Sequence, residues 1–293
     1  MNQTKKERLQ ALKLEYDQLR SEQEDLLKII MESELPDRVY NSNAIEDSSL
    51  TMRDTEKILL SQSLIREVSL RETYETSNLA RVFKYFWTMP NMDLTVENFE
   101  FLHQMLLGGI NDAIAGRIRR SGEYIRMGWH IAPAPEKVRM MLEDLIEQYN
   151  SDFDEYFLEK IAEFHLQFET IHPFCDGNGQ IGRAIIDLQL AALGYPPVII
   201  QNKSKDKMYF PVFNEWRRRR KSEKLVDCLY FGLTESFYKR ISYLRGSEIV
   251  NLSEYIKEGM HSPSLCTNAA KRQTIPAFRQ EGIWRIAKDY IYG

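Results

Sequence analysis

The chain has 293 residues, 43% of them hydrophobic and 28% charged, enough for one large globular core plus a small appended domain. A net charge of −4 excludes a global pull toward nucleic acid or membrane, so either partner would need a local patch, and no apolar run reaches membrane-spanning length. Residues 1–7 lack the apolar stretch of a signal peptide, and the three cysteines, Cys175, Cys228 and Cys266, show no metal spacing; both features predict a reducing cytoplasm.

Residues 5–33 are charge-rich, with leucines at 9, 12, 19, 26 and 27 and no glycine or proline, which predicts one long helix ended by Pro36. Its narrow apolar stripe suits packing on the main core or, alternatively, a coiled-coil or homodimer contact. Residues 42–47, Ser-Asn-Ala-Ile-Glu-Asp, read on their own as a surface turn of helix. Thr51 with Asp54 caps a helix through Ile58-Leu59-Leu60; residues 72–87 form another, and Thr95 caps a third through Phe99, Leu102, Met105 and Leu106. These are scaffold: apolar stripes at helical spacing are core. Residues 116–135 break the helical pattern, and Ile118, Tyr124, Ile125, Met127, Trp129 and Ile131, punctuated by Gly122, Gly128, Pro133 and Pro135, predict an irregular hairpin.

Apolar residues at 157, 161, 164, 168 and 171 then make an amphipathic helix that delivers His172 at its end. The stretch His172-Pro173-Phe174-Cys175-Asp176-Gly177-Asn178-Gly179-Gln180-Ile181-Gly182-Arg183 reads as a phosphate site. It holds a histidine able to take a proton, a carboxylate suited to magnesium, and glycines that let backbone N–H groups approach an anion. A helix N-terminus and a cation complete it. Residues 184–193 are apolar on nearly every side and stop at Gly194, so the site is a loop between two core helices. A dinucleotide reading of Gly177, Gly179 and Gly182 fails, because a helix precedes the glycines and Asn202 stands where an acid is required. A calcium-loop reading fails on Ile181 and Asp187 at its sixth and twelfth positions. Cys175 reads as filler within the loop, with a nucleophile as the alternative.

Downstream, Arg217-Arg218-Arg219-Arg220-Lys221 is too short a run to make one helical face, which favours a solvated helix end over a nucleic-acid patch. After residue 246 the pattern changes: a short helix from Leu252, a turn at Met260-His261-Ser262-Pro263, and a second helix capped by Ser264 and ending at Lys271-Arg272. Two strands, Ile275-Pro276-Ala277-Phe278-Arg279 and Ile283-Trp284-Arg285-Ile286, follow as a hairpin across Gln280-Glu281-Gly282. Residues 264–288 carry Lys271, Arg272, Arg279, Arg285 and Lys288 against the single acid Glu281, a locally positive field.

The loop resembles the signature of the Fic family, HxFx(D/E)GNGRxxR, matching at every fixed position except Gln180, where an arginine is usual. The resemblance implies a mostly α fold: a Fic-type helical core at residues 61–245 with a β-hairpin flap at 116–135, after an N-terminal helical region at 1–60. It implies a protein adenylyltransferase that moves AMP from ATP to a Ser, Thr or Tyr hydroxyl. His172 would be the general base and Asp176 the magnesium ligand. Gly177, Asn178 and Gly179 would form the anion hole, Arg183 would bind the γ-phosphate, and Tyr209 would stack on adenine or simply pack. Gln180 replaces a cation with a neutral amide and bears on ATP affinity. Ser42 and Glu46 are similar to the family's inhibitory motif, (S/T)xxxE(G/N), with Asp47 departing from it; Glu46 would pair with Arg183 in place of the γ-phosphate. Tyr124, Ile125 and Met127 would form the flap that clamps the target protein. Residues 246–293 resemble excisionase and MerR-like winged helix-turn-helix domains, which implies DNA contact through Lys271, Arg272, Arg279 and Arg285 or a fold of that shape used for dimerisation or target presentation. Two other functions are open at this stage: a DNA-binding regulator with the core as nucleotide sensor, and metal-dependent hydrolysis of AMP already attached to a protein.

Overall fold

The computed structural model describes residues 1–64, 67–127, 130–260 and 262–291. Gly128, Trp129 and His261, named in the hairpin and turn predicted above, lie outside them. Among the described residues the fold is mostly helical, and none of the helices is long and apolar enough to cross a membrane.

The N-terminal region departs from the single helix predicted. It is α1 (Gln3–Arg20), capped by the Asn2 side chain, and α2 (Glu24–Ile45), which runs straight through Pro36. The break falls at Glu22, which takes a left-handed φ of 70°. It lets α1 lie along the last long core helix with Leu9 and Tyr16 buried. A proline inside a helix sacrifices one backbone bond; here Leu35 and Val39, on either side of Pro36, are buried in the core and hold the helix together. Both helices share their cores with the rest of the molecule.

Helix α3 (Met52–Leu59) carries the predicted Thr51–Asp54 capping box, and α4 (Leu70–Thr88) and α5 (Val96–Leu107) start at the Ser69 and Thr95 caps. The hairpin is short: β1 (Arg126–Met127) pairs antiparallel with β2 (His130–Ile131), Met127 opposite His130. Next come α6 (Pro135–Ser151), α7 (Phe157–Ile171), α8 (Asn178–Ala192), a 3-10 turn (Asn202–Ser204) running into a π-helical turn (Lys205–Tyr209), α9 (Phe210–Arg219) and α10 (Glu223–Leu244). Helix α8 is buried on nearly every side.

A charged cluster ties α2 to α10. The Glu34 carboxylate accepts from Arg240 at 2.5 and 3.2 Å and from Lys239 at 3.2 Å, all three side chains being 6% exposed or less.

The C-terminal segment has its own small core, built on Leu252, Ile256, Cys266, Ala270, Ile275 and Ile286. Its order is β3 (Ile249–Asn251), α11 (Leu252–Glu258), α12 (Pro263–Lys271), β4 (Phe278–Gln280) and β5 (Ile283–Ala287). The sheet order is β3-β5-β4, antiparallel throughout. The predicted hairpin is β4–β5, turning on Glu281 and Gly282 with φ of 53° and 75°, the double left-handed geometry of a two-residue hairpin loop. Two details differ from expectation. Strand β3 was too short to read in the sequence. Helix α12 starts after Ser262 rather than Ser264, because Pro263 takes its first turn, where a missing N–H costs nothing.

The unit docks on the core through its hairpin. Arg279 makes a bidentate pair with Glu235 of α10, closest approach 2.6 Å; the Glu281 N–H donates to Asp37 of α2 at 3.2 Å, and Tyr243 donates to Gln280 at 3.1 Å. Replacing Arg279 by alanine is expected to weaken docking by about 1–3 kcal/mol, measured as faster hydrogen exchange across residues 249–287.

Candidate active site

The base candidate is placed by strain. His172 caps α7 in a left-handed conformation, φ 51° and ψ 63°, with its N–H bonded to the Phe168 carbonyl at 2.9 Å. A non-glycine residue holds such a conformation only when its surroundings impose it. Buried Arg119 does so: its guanidinium donates to the carbonyls of His172, Ile171, Pro133 and Glu123 at 2.8–3.2 Å, pinning the motif to the base of the hairpin. Burial first, with Arg119 and His130 adding to it, pulls the His172 imidazole down to about 4, so the ring is neutral at ordinary pH.

The loop after it is closed by Asn178. Its side-chain oxygen accepts from the Phe174 N–H at 2.9 Å and its amide donates to the Phe174 carbonyl at 2.8 Å, so its side chain shapes the loop. Its backbone N–H belongs to the first turn of α8, where Gly177 enters with a φ of 73°. Backbone donors at a helix N-terminus, lined by glycine, suit an anion. Asp176 stands at the mouth, one oxygen accepting the Gly177 N–H at 2.8 Å and the other paired with Arg71 at 2.6 Å.

Arg183, 6% exposed, is held by the last turn of α2 through all three of its nitrogens. Nε donates to the Ser42 hydroxyl at 3.0 Å, Nη2 to the Ser42 carbonyl at 2.9 Å, and Nη1 pairs with Glu46 at 2.9 Å. The segment read as a surface turn is therefore largely interior: Ser42, Asn43, Ala44 and Ile45 are buried. The Glu46 carboxylate fills the space beside Gly179, where even a Cβ would collide with it. Gln180 donates to the Asn43 side chain at 2.9 Å, so the residue that departs from the signature also faces α2. Lys205 closes the end of that helix, donating to the Ala44 and Ile45 carbonyls at 2.9 and 3.2 Å and pairing with Asp47 at 2.5 Å.

His172, Arg183, Glu46 and Gly179 line one cavity of about 360 Å³. Met127 and His130 of the hairpin, Glu169 and Thr170 of α7, and Phe210, Phe213 and Arg217 of α9 also line it. Tyr209 also borders it, but its ring is buried and its hydroxyl bonds His165 Nε2 at 2.7 Å, leaving Phe210 and Phe213 as the more open aromatic surfaces. Tyr124 is exposed, while Ile125 and Met127 are half-buried. The Cys175 thiol is pushed up by burial and by the neighbouring Glu123, which disfavours the thiolate a nucleophile needs.

Sequence reasoning missed Arg119, Arg71, Phe210, Phe213 and Arg217. The last three had a signal, an aromatic pair three apart and a cation four further on, which is one helical face. Lys271 and Arg272 are exposed at the end of α12, away from the cavity; Arg279 is committed to Glu235, and Lys288 pairs with Glu248 at 2.9 Å.

Protein adenylyltransferase Fic of Drosophila melanogaster is 28% identical over 256 residues, 83% of this chain and 50% of the relative, so the chain spans about half the length of the curated relatives it matches. A Fic domain-containing signalling protein from Bacteroides thetaiotaomicron superposes with a TM-score of 0.72 at 21% identity, covering 82% of this chain and 97% of that one. A Fic family protein from Desulfovibrio desulfuricans covers 97% of both chains at a TM-score of 0.64 and 19% identity, so the shared fold takes in the C-terminal unit. Residues 93–190, which hold the hairpin, α7, the loop and most of α8, match the model of the Fic/DOC family.

Proposed function

We propose that the chain is a protein adenylyltransferase held inactive by its own α2. The observation that carries this reading is the closure of Arg183 by Ser42 and Glu46 beside a buried, neutral His172. In the working state His172 takes the proton of a Ser, Thr or Tyr hydroxyl on the target protein. The hydroxyl oxygen then bonds to the α-phosphorus of ATP and pyrophosphate leaves. The backbone donors at 177–179 hold the phosphates, and Arg183, freed of Glu46, holds the γ-phosphate.

Asp176 fits a magnesium ligand. Such an ion is commonly held by one or two carboxylates with substrate phosphates and water, and among the described residues no cluster of three or more His, Cys, Asp and Glu side chains forms a closed metal cage. Arg71, exposed and with Glu75 as a second partner at 2.6 Å, can yield the carboxylate. The bound ion would supply neutralisation of the phosphate charge.

The hairpin at 126–131 serves as the flap, its short strands offering backbone to an extended target segment. The helix pair and hairpin of the C-terminal unit support a winged helix-turn-helix reading, with Lys271 and Arg272 as the exposed cations for DNA.

The test is the intact mass of purified wild type and Glu46→Gly after incubation with ATP and magnesium. The variant is expected to gain AMP and the wild type little or none. ATP bound to the variant without any added mass would sink the transfer reading and favour removal of AMP or nucleotide sensing.

A further inference from the structure

One acidic side chain in the cavity wall has no part in the reading above. Glu169 lies in the last turn of α7, three residues before His172, with its side chain 12% exposed. Its Oε1 is buried and meets no hydrogen-bond partner among the described residues. That atom rests on Gly182, where an added Cβ would come within 2.6 Å of it, so glycine at 182 is what makes room for the carboxyl. Its Oε2 lies 3.8 Å from His172 Nδ1, a buried atom that also faces the Glu169 backbone carbonyl but makes no well-formed hydrogen bond.

Leaving two buried polar atoms open costs free energy on both sides. The gap between Oε2 and Nδ1 is about 1 Å longer than a hydrogen bond, and catalytic hydrogen bonds in ligand-free sites are commonly long and tighten when substrate arrives. The other titratable groups near Glu169 are His165 of α7, Arg183 of α8, Glu46 of α2 and Tyr209. Of these, His165 Nε2 is taken by Tyr209 and Arg183 by α2; His165 Nδ1 and His172 Nδ1 are both buried without a partner, and His172 is the one of the two that lines the cavity.

We propose that Glu169 is the positioning residue for His172, accepting Nδ1–H so that Nε2 faces the target hydroxyl as proton acceptor. It touches no substrate. When the hydroxyl proton moves to Nε2, the oxygen–phosphorus bond forms and the bond to pyrophosphate breaks, and the ring becomes an imidazolium whose charge Glu169 balances. The proton leaves Nε2 to solvent once the products depart.

Burial, and after it the Glu46 charge, hold the Glu169 carboxyl up at about 8, with Arg183 opposing. In the closed form the acid is therefore uncharged at neutral pH, and removing Glu46 takes away one of the two causes. The rate in a Glu46→Gly background is expected to rise with pH as Glu169 ionises, between its ordinary 4.5 and about 8.

The experiment compares Glu46→Gly with the same protein carrying Glu169→Gln or Glu169→Asp. Two readouts are taken: the pH–rate profile of AMP transfer, and the titration of the His172 ring by NMR. Glu169→Gln is expected to lower kcat by about tenfold or more, leave KM for ATP unchanged, abolish the rising limb and move the His172 titration to lower pH. Glu169→Asp, which keeps the charge on a shorter arm, is expected to keep the limb at reduced kcat. An unchanged profile and an unchanged His172 titration in Glu169→Gln would overturn the proposal. The rate readout rests on the transfer reading; the ring titration does not. An inert Glu46→Gly protein whose His172 still shifts with Glu169→Gln would therefore support the positioning role while counting against transfer.

Discussion

Alanine at position 172 in a Glu46→Gly background is expected to slow AMP transfer by ~10²–10⁴-fold, the range that a positioned general base contributes. Affinity for ATP should hold, because the proposed phosphate-binding residues 177–179 and Arg183 do not depend on the imidazole for their own placement. Calorimetry alongside the rate measurement checks both halves, and loss of ATP binding together with the rate would mean that the ring is structural. The pH dependence carries a second signature. A base works only when neutral, and burial brings His172 down to about 4, so its contribution is lost as pH falls through about 4 rather than near an ordinary histidine's 6.5.

Glu34→Ala is expected to cost about 3–5 kcal/mol of stability, since it leaves Arg240 and Lys239 buried without their counter-charge. Thermal unfolding should report a fall in Tm of roughly 10 °C. Burial opposes ionisation of Glu34, yet Arg240 and then Lys239 overcome it and bring the carboxyl down to about 2 from its ordinary 4.5. A lowered folded-state value means that the stabilisation is present above about 4.5 and is lost as pH falls toward 2. Glu34→Gln should remove that acid-sensitive part of the stability curve. A variant that unfolds with the wild-type dependence between those limits would show that the triad is not its source.

The delivery of His172 by α7 was legible because one buried face leaves a 3.6-residue period that nothing interrupts, and α8 because a helix buried on nearly every side is apolar all round. The caps at Thr51 and Thr95 were legible because a side-chain oxygen three residues before a free N–H is a local arrangement. What escaped depends on partners far along the chain. Pro36 reads as a terminator, yet the helix continues because Leu35 and Val39 are buried against α4 and its neighbours. Arg119 is an unremarkable arginine until the fold brings four carbonyls around it. The burial of Ser42 has the same origin: the segment has no strong amphipathic signal, and only Arg183, 141 residues away, makes it interior. The start of α12 is different, since Pro263 was a visible local cue that outranked Ser264.

The three bonds that hold Arg183 all come from one helical turn, and that turn is the last in α2, fastened by Lys205. Helix ends are where local opening is least costly. Losing that turn would let go of all three contacts together and would draw Ile45 out of the core, so release would be all-or-none. The sensitivity of the molecule to ATP would then be set by how readily six residues fray, and a change at Lys205 or Asp47 would tune it without altering any group that meets the nucleotide.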